Sequence, residues 1–178
     1  MNIAILSNGN ANYSTLRLKE EAEKHGHQVK VIKYKNCYVS IDEQHPKVIY
    51  RGREIGNFDV FIPRIASYMT RYGTAVLRQL EMANPQASFM NRSIAITRAR
   101  DKLRSTQLLA RAGVAIPKTV FSRNETDIDV LLDEIGGTPA IIKLARGTHG
   151  NGVVLAETIK AAKSVMQAFY LSDSDGTN

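Results

Sequence analysis

Short apolar runs alternate with longer polar stretches along the first half of this chain. Residues 2–7, Asn-Ile-Ala-Ile-Leu-Ser, are almost all apolar and read as a strand buried on both faces. The polar stretch 13–25 permits a helix, with Ser14 as a candidate cap and Gly26 as its stop. Val29 and Val31 alternate with polar residues through 27–33, the period of a second strand. Strand, helix, strand is the opening of a parallel layer. Val48-Ile49-Tyr50 and Glu54-Ile55 flank Arg51-Gly52-Arg53 as the arms of a small hairpin. Residues 59–63 form another buried strand, ending at Pro63-Arg64. Val76, Leu80 and Ala83 recur at i, i+4 and i+7 and mark a helix that Pro85 closes.

The pattern changes after residue 84. Asn84-Pro85-Gln86 is a break, and 87–90 is a last short strand of the layer. A helical, basic stretch then runs from Ser93 to Ala112, with Ala99, Leu103 and Ala110 on one face and Gly113 at its end. Residues 117–121 read as a strand, and Ser122 and Glu125 have the spacing of a capping box. Ile128, Leu131, Leu132 and Ile135 give the cleanest helical period in the chain, terminated by Gly136-Gly137. In residues 139–153 an apolar run ends in Lys143, Gly147, Gly150 and Gly152 follow, and a second apolar run opens with Val153. That is strand, glycine-rich loop, strand. Thr158 caps a last helix with Ala162, Val165, Met166 and Phe169 on one face, and the polar tail 172–178 is expected to fray. The expected division is a first unit over 1–91, a second over 92–171, and the tail.

Hydrophobic residues make up 43% of the 178 and charged residues 23%, which suits packed domains rather than a disordered chain. The net charge is +7, so polyanions are the expected partners: nucleic acid, nucleotide phosphates or an acidic peptide. No apolar run approaches the roughly 18 residues of a membrane span, which argues against a membrane partner. The one cysteine, Cys37, excludes an intrachain disulfide framework and makes a cytoplasmic location the default. His25, His27, His45 and His149 are scattered and have no cysteine or carboxylate at a zinc-ligand spacing.

The chemistry concentrates in the glycine-rich loop. Glycine lets backbone N–H groups approach an anion closely and tolerates positive φ, and Lys143 adds a mobile cation beside them. Together they suggest a phosphate cradle; the competing reading is a plain hairpin with a glycine-rich turn. The order is not that of a Walker loop, because the lysine precedes the glycines and a strand follows them. It is similar in kind to the glycine-rich hairpin with which kinases cover ATP. The first turn, Ser7-Asn8-Gly9-Asn10-Ala11-Asn12, is not the dinucleotide fingerprint, so a Rossmann-like layer is expected without a nicotinamide site. Arg64, just past a strand's C-terminal end, either lines a ligand crevice or is a solvated surface residue.

Four stretches resemble one family, the ATP-grasp superfamily and within it the RimK type, ligases that add glutamate to the C-terminus of a small-subunit ribosomal protein. They are the opening Met-Asn-Ile-Ala-Ile-Leu-Ser with Tyr13-Ser14 and Arg17-Leu18, and Phe61-Ile62-Pro63-Arg64-Ile65 with Tyr72-Gly73-Thr74-Ala75. The third runs from Asn91-Arg92-Ser93-Ile94-Ala95-Ile96 through Ala99-Arg100-Asp101-Lys102-Leu103-Arg104, and the fourth is Val154-Leu155-Ala156-Glu157-Thr158. The resemblance implies an α/β fold: a Rossmann-like pre-ATP-grasp domain, then an α+β ATP-grasp central subdomain, with the C-terminal jaw absent. It implies ATP as cofactor, with Lys102 and Lys143 on the phosphates and Gly147, Thr148, His149, Gly150, Asn151 and Gly152 closing over them. It also implies an acidic peptide or ribosomal protein tail as acceptor, and Arg64 toward the substrate.

The resemblance assigns magnesium or manganese to the C-terminal jaw of the family, and the adenine-binding hinge to a last strand of the central subdomain beyond these residues. It therefore places no metal ligand and no catalytic residue in these 178 residues, and an amino-terminal portion inactive alone is the expectation. Arg146 stands where an acidic residue is expected, and His149 and Asn151 vary the loop. A second reading is a basic module for RNA or the ribosome, built on Arg98, Arg100, Lys102, Arg104 and Arg111. A third is a regulatory partner that self-associates through an incomplete sheet.

Overall fold

The computed structural model describes residues 1–9, 12–123, 127–144 and 152–174, with 172–174 described by their backbone alone. The first unit, Met1–Arg100, runs β1 (Asn2–Ser7), α1 (Tyr13–Lys24), β2 (Gln28–Lys33), β3 (Cys37–Ser40), β4 (Lys47–Tyr50), β5 (Arg53–Glu54), β6 (Val60–Arg64), α2 (Thr70–Ala83), β7 (Ser88–Phe89) and α3 (Ser93–Arg100). The second, Asp101–Asn178, contains α4 (Lys102–Arg111), α5 (Ile128–Ile135), β8 (Ala140–Lys143), β9 (Val153–Ala156) and α6 (Ile159–Ser174).

The apolar run at the start becomes the strand it predicts. Ile3, Ala4, Ile5, Leu6 and Ser7 are all buried, as befits a strand paired on both edges. β1 pairs in parallel with β2 on one side and with β6 on the other, so that Ile5 lies opposite Val31 and Ile62. β7 extends the sheet beyond β6, giving the order β2-β1-β6-β7. Phe61 of β6 is fully buried and stacks on Phe89 of β7 at 4.9 Å between ring centroids. Val76, Leu77 and Leu80 present one buried face of α2 to the same core. Asn84 ends that helix by donating both its backbone N–H (2.9 Å) and its side-chain amide (3.0 Å) to the Leu80 carbonyl.

Several local expectations change. Ser14 does not cap α1; Asn12 holds the cap position without a side-chain bond, and the Ser14 hydroxyl is taken by Arg64. β3 adds to the expected β4–β5 hairpin and makes a three-stranded antiparallel sheet. The helical stretch 93–112 is two helices, broken at Asp101, whose extended backbone (φ −88, ψ 103) cannot continue a helix. Residues 117–121 form no strand: Pro117 offers no N–H, and the Thr119 hydroxyl donates to the Pro117 carbonyl at 2.8 Å. Glu125, half of the expected capping box, lies outside the described residues. α6 continues through Ser174, past the expected end at 171.

The core of the second unit is small. Ile128 and Leu132 of α5, Ala140 and Ala156 of the hairpin and Ala162 of α6 are buried together, with Ile135, Ile142 and Met166 against them. Gly136 ends α5 in the left-handed region at φ 93, the expected glycine stop. β8 and β9 pair antiparallel with Lys143 opposite Val153, and the Thr158 hydroxyl accepts from the Ala161 N–H at 3.2 Å as the cap of α6.

Candidate functional site

The Lys102 side chain reaches the end of β8, the strand whose last residue is Lys143. Asp101 makes this possible. Its carboxylate accepts the Arg104 N–H at 2.9 Å, which stops α3 from continuing and starts α4 at Lys102. From that first turn the Lys102 ammonium donates to the Leu144 carbonyl at 3.1 Å. Leu144 directly follows Lys143, and its N–H donates to the Gly152 carbonyl at 2.8 Å, closing the base of the loop. Thus Lys102, Lys143 and Gly152 frame the entrance of the loop. Gly147, Thr148, His149, Gly150 and Asn151 lie outside the described residues.

Gly152 is required there for two reasons. Its φ is +69, and a Cβ would lie 2.5 Å from the Leu144 Cδ1. The hairpin has two unlike faces, because strand side chains alternate. Ala140 and Ala156 face the core with Ile142, whereas Ile141, Lys143, Val153 and Leu155 are exposed. Lys143 therefore stands beside an open apolar floor. Two ammonium groups framing a glycine-rich loop suit a polyphosphate. A metal does not fit the described residues, among which no group of three or more His, Cys, Asp or Glu side chains is placed to hold one.

Arg64 sits elsewhere, in the first unit, at the carboxyl end of β6. Its Nη2 donates to the Ser14 hydroxyl at 3.0 Å. The segment that carries it is held on several sides. The Ala66 N–H donates to the phenol oxygen of Tyr34 at 2.8 Å. Arg100 donates to the carbonyls of Ile65 and Ala66 and to the Thr70 hydroxyl. Ile65 packs so closely on Gly73 that a Cβ there would lie 2.5 Å from its Cγ2. Burial pushes the Tyr34 phenol above its ordinary value, partly offset by the Ala66 bond. Asn8, at the end of β1, donates to the Tyr68 hydroxyl at 3.1 Å. Sequence reading missed Asn8 and Tyr68, and took Arg100 as one of a basic series rather than as a bond donor to the 65–70 segment, because the partners lie 30 or more residues away. Asp101 was legible in principle, as an aspartate three residues before the amide it caps.

The basic series is not one helical face. Arg98 and Arg100 belong to α3, and Lys102, Arg104 and Arg111 to α4. Arg100 is already committed to three acceptors. Among the described residues no helix is long and apolar enough to cross a membrane.

Solved structures first define the class. A RimK domain ATP-grasp protein from Sphaerobacter thermophilus superposes with a TM-score of 0.67 at 18% identity, over 97% of this chain and 60% of that one. The ATP-grasp ligase PsnB, complexed with a precursor peptide and AMPPNP, gives 0.64 at 18% identity, over 92% and 61%. The fold is an ATP-grasp α/β fold. The family follows from sequence. The profile of the RimK PreATP-grasp domain matches residues 1–96, and that of the RimK-like ATP-grasp domain matches 99–174. The chain belongs to the RimK family of ATP-grasp proteins. A probable alpha-L-glutamate ligase of Aliivibrio salmonicida is 53% identical over 169 residues, 95% of this chain and 56% of the relative. One from Picosynechococcus is 48% identical over 189 aligned positions, 100% and 62%. The chain thus spans 56% and 62% of the length of these two curated relatives.

Proposed function

We propose that this chain carries the amino-terminal portion of an ATP-dependent ligase that adds glutamate to the C-terminus of a protein or peptide, and that its own task is to hold the triphosphate. One observation carries this: the Lys102 ammonium reaches the base of the glycine-rich hairpin, 3.1 Å from the Leu144 carbonyl, next to Lys143. Lys102, Lys143 and Gly152, with Gly147, Thr148, His149, Gly150 and Asn151 of the loop, are the proposed phosphate site. In such a site the cations and backbone N–H donors offset phosphate charge and fix its orientation. ATP supplies the driving force for activating a carboxylate. The relatives named as glutamate ligases support glutamate as the amino acid, and the neighbour seen with its precursor peptide supports a peptide acceptor. The chemistry is proposed for the whole length shared by the relatives, with a divalent metal held outside the described residues. The proposed units are 1–91 and 92–171; the compact units of the fold meet between Arg100 and Asp101, because α3 packs on α2. A cytoplasmic setting is part of this proposal, and the one free cysteine is compatible with it.

Calorimetric titration of the 178-residue protein with a non-hydrolysable ATP analogue tests this reading. Saturable binding is expected, weakened about tenfold or more by Lys143→Met and by Lys102→Met, the worth of one charge-assisted contact. No saturable binding, or unchanged wild-type affinity in both variants, would contradict it.

A further inference from the structure

We infer that the carboxyl edge of the first unit's parallel sheet is a binding surface for single-stranded RNA. The inference goes beyond the ligase reading and does not depend on it.

The positive charge of the chain is unevenly placed. Residues 1–100 hold 15 Lys and Arg against 8 Asp and Glu, whereas residues 101–178 hold 9 of each. The whole excess of +7 therefore belongs to the unit that lacks the proposed phosphate lysines. Most acids of that unit are already taken. Glu20, Glu21 and Glu23 pair with Arg17, Lys19 and Lys24 along α1, and among the described residues these are the unit's only ion pairs. Asp59 accepts the Asn2 N–H, and Glu81 accepts from Ser93.

The excess is undiluted at the carboxyl edge of the sheet. Lys33, Ser7 and Arg64 form one row across β2, β1 and β6. Two strand spacings, about 10 Å, separate the two cations of that row. The turn after β2 is tied to the segment after β6 at both ends. The Tyr34 phenol oxygen accepts the Ala66 N–H at 2.8 Å, and the Tyr72 hydroxyl donates to the Cys37 carbonyl. Lys35, exposed, lies between those two anchors. Arg71 shares the lining of a cavity of about 360 Å³ with Tyr68 and Tyr72. Residues 7–9, 12–16, 33–37 and 64–72, which meet at this edge, contain no Asp or Glu. Lys33, Lys35, Arg64 and Arg71 thus gather where no carboxylate answers them.

Aromatic rings stand among these cations. Tyr68 is 80% exposed although Asn8 holds its hydroxyl at 3.1 Å. Tyr13 is 79% exposed beside Ser14, whose hydroxyl binds Arg64. Cations that track a phosphate backbone, with rings on which bases stack, are the two elements of a single-strand binding surface. An acidic peptide would use the cations and leave the rings in water. A duplex would keep its base faces from the rings. In the cytoplasmic setting proposed above, the available single strands are RNA.

The test is fluorescence anisotropy of a labelled oligoadenylate of about 12 nucleotides with the 178-residue protein, from about 50 mM salt upward. Saturable binding is expected, with log K falling against log salt at a slope of about −3, roughly 0.7 for each of four phosphates neutralised. Lys35→Gln and Arg71→Gln, both at exposed positions, should each reduce that slope by about 0.7. Tyr68→Ala should weaken binding about tenfold with the slope unchanged, the worth of one stacked base, and Tyr68→Phe should restore it. Arg104→Gln and Arg111→Gln, on α4, should leave binding unchanged. No saturable binding, equal affinity for a duplex or an oligoglutamate of the same charge, wild-type affinity in Tyr68→Ala, or loss of binding through the α4 variants instead would overturn the inference.

Discussion

A methyl group at Gly152 would sit 2.5 Å from the Leu144 side chain on a backbone already at φ +69. Gly152→Ala is therefore expected to cost about 1–3 kcal/mol, read as a lower urea midpoint for the hairpin's unit. A change under a few tenths of a kcal/mol would mean that the turn relaxes freely. Cys37 and Tyr34 make a second prediction at this scale. Burial raises the Cys37 thiol from 9.0 to about 11 and moves Tyr34 the same way. A folded state that holds protons more tightly than the unfolded one loses stability as pH rises. Their contribution is complete below about pH 9 and is lost as the pH climbs through about 11. Urea midpoints in reductant should fall between pH 8 and pH 10.5, and Cys37→Ala should flatten part of that slope. Of the residues themselves, Lys102, Lys143 and Gly152 were legible because their neighbours in sequence frame them. Asn8 was not, because Tyr68 meets it from 60 residues away.

At the scale of elements, the break at Asp101 matters most. A basic series that reads as one helix becomes two, and Lys102 starts the second. Apolar spacing could not locate that break, because both helices keep helical periodicity on either side of it. The carboxylate three residues before an otherwise unpaired amide was the available sign. Asp101→Ala is expected to cost about 1 kcal/mol in the second unit, the usual worth of a side-chain cap. Denaturant titration followed by signals of that unit checks it; an effect confined to the first unit would contradict the cap. The strands that could be read, β1, β6, β8 and β9, are those whose burial is written in continuous apolar runs. β3 escaped because its four residues, Cys-Tyr-Val-Ser, are too few to show a strand period before β4, its partner. The failed strand at 117–121 shows the converse: apolar residues without a pairing partner remain irregular.

For the whole molecule, the candidate phosphate residues Lys102, Lys143 and Gly152 lie in the second unit, and Arg64 lies in the first. The α/β class and its family were legible because local periods and motif stretches cover nearly the entire chain. The register that brings Ser7 beside Arg64 was not, since it is set by pairing across 57 residues. The net charge of +7 suits nucleotide phosphates or an acidic peptide as well as it suits nucleic acid, so charge alone never chose between them. The most direct test of the phosphate site is lysine protection: mild acetylation of the 178-residue protein with and without the ATP analogue, read by mass spectrometry. Slower modification confined to Lys102 and Lys143, with surface lysines such as Lys30 and Lys160 unchanged, is the predicted result. Equal modification of Lys102 and Lys143 with and without nucleotide, at concentrations that saturate binding, would contradict it.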